Sequence, residues 1–294
     1  MKVLLTGGSG FIGRNLLELL GPRYTMVAPT SAELNLLDQN SVHEYLRAGR
    51  FDVILHAATT RSNRRMGAAP DLLDRNCRMF FNLVHDRSLY GKMLHLGSAA
   101  EYCRAGLPAR VSEDYFDTYI PTDAYGFSKY LCSKHAQTTD NLYVLRLFGV
   151  FGKYEAWDVR FISNACARVV KGLPIVIRQD VRFDYLYVSE LAELLAWFLE
   201  HEPRHKAYNV CRGEVFPLLE LAGMVAAASG RNPEIFVRNP GMGPEYSGDN
   251  ARMLSETGGS WRRQMSACIR ELYRWYEAHA DQFGVEQLTF DDSE

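Results

Sequence analysis

Lys2-Val3-Leu4-Leu5-Thr6-Gly7-Gly8-Ser9-Gly10-Phe11-Ile12-Gly13-Arg14 is the stretch around which the chain is organised. The apolar run Val3-Leu4-Leu5 is too short for a helix and is followed by glycines, the pattern of a buried parallel strand. Gly7, Gly8 and Gly10 then turn the chain into Phe11-Ile12-Gly13-Arg14-Asn15-Leu16-Leu17-Glu18-Leu19-Leu20, whose apolar residues recur with helical spacing. A strand, a glycine turn and a helix N-terminus together make an anion site. Backbone N–H groups and the positive end of the helix dipole converge there, and glycine lets a pyrophosphate approach the backbone. A lone glycine motif carries little weight, but between a strand and a helix it predicts a dinucleotide site.

Composition narrows the class. A chain of 294 residues makes one large or two modest domains, and 47% hydrophobic with 23% charged residues is ordinary for a globular protein. The formal charge of −2, without a basic stripe, argues against nucleic acid or an anionic membrane as partner. Cys77, Cys103, Cys132, Cys166, Cys211 and Cys268 show no CxxC pair and no metal-type spacing, so they read as reduced thiols and no metal is expected. No apolar run reaches membrane-spanning length, and a first strand starting at Lys2 leaves no room for a cleaved targeting segment. The expectation is a cytoplasmic protein.

Arg23 to Ala28 reads as the second strand, followed by Pro29, Thr30, Ser31 and Ala32 where an acid would hold the adenosine ribose and favour NAD. Thr30 and Ser31, helped by Arg14, are suited instead to a 2′-phosphate, so the expectation leans to NADP, with NAD as the alternative. Residues 33–42 read as a short strand end and a capped helix start. Phe51 to Ala58 is a buried strand ending in small residues that let a cofactor lie against the backbone. His56 within it reads as a packed residue rather than a catalytic one. Residues 70–89 form a long helix carrying Asn76, and Lys92 to Ser98, taken as the fifth strand, delivers Ser98 at its C-terminal end, the edge where open α/β sheets bind ligands. In Pro121-Thr122-Asp123-Ala124-Tyr125-Gly126-Phe127-Ser128-Lys129, Tyr125 and Lys129 share one helical face. A phenol ordinarily titrates at about 10. A neighbouring ammonium and a cationic nicotinamide would favour its ionised form and suit it to proton transfer. Ser98 would hydrogen-bond the same substrate oxygen.

These pieces resemble the extended short-chain dehydrogenase/reductases, the NAD-dependent epimerase/dehydratase family of nucleotide-sugar enzymes. The matching runs are Thr6 to Gly13, His56-Ala57-Ala58, Asn76, Gly97 to Tyr102, Tyr125 to Lys129, Arg146 to Gly152, Arg182 to Val188 and Tyr208-Asn209-Val210. The resemblance implies an α/β fold, a Rossmann-type doubly wound parallel sheet with a smaller C-terminal substrate-binding α/β lobe. Residues 1–155 plus about 184–210 would bind NAD(P), and about 156–183 plus 211–294 would bind the nucleotide sugar. It implies cofactor contacts from Gly7, Ser9, Gly10, Phe11, Ile12, Gly13, His56, Ala57, Ala58, Asn76, Tyr125 and Lys129, with Asn35 and Leu36 flanking the adenine. Ser98, Tyr125 and Lys129 would be catalytic. Arg182, with Arg168 and Arg252 as further candidates, would meet the sugar diphosphate, a role suited to bidentate guanidinium. Helices at about 72–89 and 125–138 would pack against a twofold mate.

Departures from the family pattern select among its reactions. Ser98 is followed by Ala99 and Ala100 where dehydratases carry Asp-Glu, so the acid/base pair for water elimination is missing. Glu33-Leu34-Asn35-Leu36-Leu37-Asp38 resembles GDP-fucose synthases and 4-keto-sugar reductases, which use NADPH. Ala100 and Arg160 stand where the epimerising members carry a cysteine and a histidine, and Gly149 replaces an asparagine. The expectation is an NADPH-dependent reductase of a nucleotide-activated 4-keto-6-deoxy-sugar. In it Tyr125 protonates the oxygen at C4, Lys129 tunes Tyr125 and Ser98 polarises the carbonyl. The alternatives are a C4-epimerase of a UDP-sugar that retains NAD, and a catalytically silent NAD(P)-binding regulator.

Overall fold

The opening stretch folds as strand β1 (Lys2–Thr6), a glycine turn and helix α1 (Phe11–Leu20). Gly7 takes φ +75°, and a Cβ there would stand 2.7 Å from the backbone nitrogen of Ala58, so the turn admits only glycine. The computed structural model describes residues 1–60, 69–103 and 106–289. After α1 come β2 (Thr25–Val27), α2 (Gln39–Gly49), β3 (Phe51–His56), α3 (Leu72–His85), β4 (Tyr90–Ser98), α4 (Ala124–Ala136) and β5 (Leu142–Leu147). The chain continues through β6 (Gly149–Phe151), α5 (Phe161–Val170), β7 (Ile175–Asp180), β8 (Arg182–Tyr187), α6 (Val188–Glu200) and β9 (Ala207–Val210). It ends with β10 (Val215–Pro217), α7 (Leu218–Ser229), β11 (Ile235–Met242), α8 (Ala251–Thr257), α9 (Met265–Ala278) and α10 (Val285–Leu288).

Six strands form one parallel sheet in the order β2-β1-β3-β4-β5-β9. The chain leaves β1 for β2 on one side and β3 on the other, so a crevice opens at the C-terminal ends of β1 and β3. The glycine turn sits at that switch point. Helices cover both faces, which is why the strands read as continuous apolar runs. On one face Leu16, Leu20, Leu191 and Leu195 of α1 and α6 pack on Val3, Leu5 and Leu94. On the other Val42, Leu46, Phe80 and Leu83 of α2 and α3 pack on Leu4, Ile54 and Met93.

The strand ending at Ser98 is the fourth in the chain, not the fifth. Residues 33–37 make turns instead of a strand, with the N–H groups of Glu33 and Leu34 donating to Thr30 O and that of Asp38 to Asn35 O. Asp38 then caps α2 by accepting from the N–H groups of Asn40 and Ser41.

Two small sheets, β10-β8-β6 and β11-β7, lie outside the main one. Around them α5, α7 and α9 bury Ile162, Leu221, Ile269, Leu272 and Tyr276. Asp184 of β8 ties this part to the chain leaving β9, accepting from Arg212 N at 2.7 Å and Gly213 N at 2.8 Å. Among the described residues no helix is long and apolar enough to cross a membrane.

Candidate active site

The glycine turn meets the requirements of a pyrophosphate cradle. Helix α1 has Gly10 as N-cap, no side-chain cap and no acid in its first turn. The N–H groups of Phe11, Ile12 and Gly13 have no acceptor among the described residues, which leaves them for an anion. A Cβ on Gly13 would fall 2.2 Å from Gly7 O, so helix and turn can close together only without one. These residues fit a dinucleotide.

Phe11 and Ile12 form one wall of a cavity of about 430 Å³ at the C-terminal edge of the sheet. Ser98, Tyr125 and Lys129 line the same cavity, with Ala57 and Thr59 beyond β3. The opposite wall is aromatic, built from Phe148, Phe183, Tyr185 and Tyr246, and Glu155 and Arg160 complete the lining. Two of the three small-sheet strands, β6 and β8, therefore supply the side facing the glycine turn.

Each of the three polar residues is held by its own element. Ser98 ends β4 and caps the short 3₁₀ helix Ala99–Tyr102, its Oγ accepting from Ala100 N at 3.2 Å. Its own N–H donates to Glu101 Oε1 at 2.9 Å, a reciprocal capping box. A Cβ on Gly97 would stand 2.4 Å from that same Oε1, so glycine before Ser98 makes room for the box. Tyr125 sits in the first turn of α4, which Asp123 caps by accepting from Gly126 N at 2.8 Å. One turn later Lys129 is buried and donates from Nζ to Leu96 O of β4 at 2.7 Å. The helix thereby locks its tyrosine–lysine face onto the strand that carries Ser98.

Beneath the site lies a row of buried groups set by strand register. Thr6 pairs with His56, and His56 with His95, across β1, β3 and β4. Thr6 Oγ1 and His56 Nδ1 share a hydrogen bond of 2.7 Å, and the two imidazoles stack at 5.2 Å. Burial, with the Lys129 charge nearby, pushes His56 down to about 3 and His95 well below the ordinary histidine range. Both rings are neutral, and neither nitrogen of His95 has a partner among the described residues.

Several expected contacts lie elsewhere. The His56 ring points into the core and not into the cavity, where its neighbour Ala57 stands. Ala58 donates its N–H to Thr6 Oγ1 at 3.3 Å. Asn76 is buried and uses its carboxamide on Thr60 N (2.7 Å), Thr60 O (3.1 Å) and Ser128 Oγ (3.3 Å), fastening the chain beyond β3 to α4. Asn35 accepts from Leu37 N, and buried Leu36 receives Asn82 on its carbonyl. Ser9 and Gly10 are exposed at the turn. Arg168 is buried in α5, donating to Pro174 O at 2.6 Å and Leu288 O at 2.8 Å, and does not reach the cavity. Arg252 on α8 is also diverted, pairing with Asp114 at 2.8 Å and Glu113 at 3.8 Å. Arg182 is exposed at the start of β8, and it is the next residue, Phe183, that enters the cavity wall. Of the groups suited to a 2′-phosphate, Thr30 donates its hydroxyl to Glu33 at 2.9 Å, and Arg14 lies over the Tyr154 ring at 3.6 Å.

Sequence reasoning passed over Glu101 and the aromatic wall. The spacing Ser98-x-x-Glu101 is a capping-box signal that was available. The wall was not, since Phe148, Phe183, Tyr185 and Tyr246 carry no common motif.

A model of the NAD dependent epimerase/dehydratase family matches residues 3–211. A dTDP-4-dehydro-6-deoxy-D-allose reductase of Streptomyces sp is 28% identical over 320 residues, covering 94% of this chain and 96% of its own. A GDP-L-colitose synthase of Yersinia pseudotuberculosis is 23% identical over 307 residues, covering 94% and 98%. Among solved structures, a GDP-L-fucose synthetase from Naegleria fowleri shares the fold with a TM-score of 0.82 at 14% identity, over 95% of this chain and 93% of its own.

Proposed function

The chain belongs to the NAD-dependent epimerase/dehydratase family, and on that premise we propose that it reduces a nucleotide-activated 4-keto-6-deoxy-sugar at C4. The observation that carries this reading is that Ser98, Tyr125 and Lys129 line one cavity with the first turn of α1. A bound dihydronicotinamide dinucleotide would supply the hydride. Tyr125 delivers the proton to the C4 oxygen, and Ser98 hydrogen-bonds that oxygen as charge develops on it. Lys129 holds its ammonium beside the Tyr125 face of α4 and favours the phenolate left behind. Phe148, Phe183, Tyr185 and Tyr246 give the sugar an apolar wall that excludes water. Arg182, beside Phe183, is the arginine proposed for the diphosphate. Water elimination is disfavoured because the two positions after Ser98 are buried alanines. The Streptomyces relative is a reductase of a dTDP-4-dehydro-6-deoxy sugar, which supports the reaction class.

The test is a panel of GDP-, dTDP-, UDP- and CDP-linked 4-keto-6-deoxy-sugars, followed by loss of dihydronicotinamide absorbance. Oxidation with one of them is expected. No oxidation with any, together with stoichiometric NAD released on denaturation, would replace this reading with the C4-epimerase. The reading includes a homodimer through α3 and α4, and a monomer mass by light scattering at working concentration would remove that part.

A further inference from the structure

We propose that this chain takes NADH in preference to NADPH, and that Glu33 is the residue that sets the choice. The proposal rests on the reading of the glycine turn as a dinucleotide site, but not on the identity of the sugar. In open parallel sheets the adenosine ribose lies at the C-terminal end of the strand after the first helix. Here that strand is β2, and its end abuts the glycine turn: a Cβ on Gly8 would meet Ala28 Cβ at 2.8 Å. Two residues beyond Ala28, the N–H and hydroxyl of Thr30 both donate to Glu33 Oε2, at 2.8 and 2.9 Å. A carboxylate is thus folded back to the end of β2, although no acid follows the strand directly. Glu33 also lies about twenty residues beyond Gly13, the spacing of the ribose-binding acid in such folds.

The atoms left over decide what this carboxylate accepts. Both Thr30 bonds end on Oε2, and Oε1 receives none from the described residues. Glu33 is exposed, and the two bonds hold its carboxyl below the usual range, so it is ionised at neutral pH. A ribose hydroxyl donates to such an oxygen, whereas a 2′-phosphate presents it with like charge. The groups that might offset that repulsion are engaged. The Thr30 hydroxyl already donates to Glu33, and Arg14 is stacked on Tyr154, whose hydroxyl donates to Glu18 at 2.6 Å. Lys153 pairs with that same Glu18.

The test is direct binding, read by dihydronicotinamide fluorescence, without any sugar substrate. Wild-type protein is expected to bind NADH about tenfold more tightly than NADPH at low salt, the scale of like-charge repulsion at a solvated surface. In about 1 M salt, where the screening length falls to about 3 Å, the ratio contracts toward unity. Glu33→Gln keeps an acceptor for Thr30 and removes the charge. It should tighten NADPH by about threefold or more, with NADH changing by less, and its ratio should no longer depend on salt. Equal or tighter binding of NADPH by the wild type overturns the proposal. So does a Glu33→Gln protein that weakens for both cofactors alike, which would make Glu33 a turn residue only. Should that variant fail to fold, the wild-type ratio and its salt dependence decide. Binding of neither cofactor overturns the dinucleotide reading and this proposal with it. Failure of every keto-sugar in the activity panel leaves the binding ratio standing.

Discussion

Two strand-to-helix junctions in this molecule are built alike and end differently. At the end of β4, Glu101 reaches back to the N–H of Ser98 and takes Arg146 Nε at 2.8 Å on its other oxygen. At the end of β8, Glu190 reaches back to the N–H of Tyr187 at 2.9 Å and takes Arg212 at 2.5 Å. Both glutamates are fully buried, and both arginines nearly so. Arg146 is held between the rings of Tyr102 and Phe116, at 5.1 and 4.2 Å. Arg212 is shared with Glu214, and Glu190 also accepts from Arg263 N at 2.8 Å. One junction presents Ser98 to the cavity. The other turns the Tyr187 hydroxyl to Glu271 at 3.1 Å, away from it. A rigid strand end is therefore a general device here, and only what the capped residue faces makes it a site.

The sharpest way to break the comparison is to remove the chemistry and keep both frames. Tyr125→Phe should lower turnover by roughly 10³-fold, the scale of a lost proton donor, while the cofactor dissociation constant stays within a factor of about two. Unchanged turnover would strip Tyr125 of its role.

Next are the frames themselves. Glu101→Ala and Glu190→Ala each strand a buried arginine, and each should lose about 3–5 kcal/mol of unfolding free energy in urea titrations. The two should then separate in kinetics. Folded Glu101→Ala protein should turn over slowly because Ser98 is released, and folded Glu190→Ala protein should keep its kcat. Equal kcat losses would mean that the junctions do not differ as described.

Smaller effects come from pH, with opposite signs in the two regions. In the sheet, His56 titrates at about 3 when folded and at about 6.5 when unfolded. The unfolded chain takes the proton first, so this contribution is complete above about pH 6.5 and falls as pH drops, by up to about 1.4 kcal/mol per pH unit. His56→Gln should flatten that acid limb. At the junction below β9, burial pushes Asp184 up to about 7 against the pull of the Arg212 and Gly213 N–H groups and the Cys211 thiol. Its unfolded value is about 3.9. The folded state takes the proton first, so this contribution is present at low pH and fades as pH rises from about 4 to 7. Asp184→Asn should flatten stability across that window, most clearly once His56→Gln has removed the opposing slope. A steeper neutral limb in the variant would contradict the sign.

Legibility in the sequence followed the range of the forces involved. The glycine turn, the Tyr125–Lys129 face and the capping pair Ser98–Glu101 are local, each set within a few residues by backbone sterics, helical spacing or a reciprocal hydrogen bond. The arginines were not legible. Arg168 and Arg252 carry the same chemistry as Arg182, and their ends were decided by Leu288 and Asp114, far along the chain. His56 read well as packed because it lies inside an apolar run. Asn76 was read toward the cofactor, but its carboxamide closes on Thr60 and Ser128. The ribose-reading acid was sought at the strand end and missed at Glu33, because only the turn over 30–34 folds it back.

By itself, then, the sequence determined the strand–glycine turn–helix that binds an anion, the strands buried on both faces and the one helical face with a phenol and an ammonium. Those depend on neighbours in the chain, and residue type and spacing suffice. Tertiary structure alone decided that Phe148, Phe183, Tyr185 and Tyr246 form a single wall opposite Phe11 and Ile12. It also decided which buried carboxylate stiffens a catalytic residue and which a scaffold. The physical reason is that strand order and register bring these groups together across long stretches of chain, where no periodicity or local propensity records the partner.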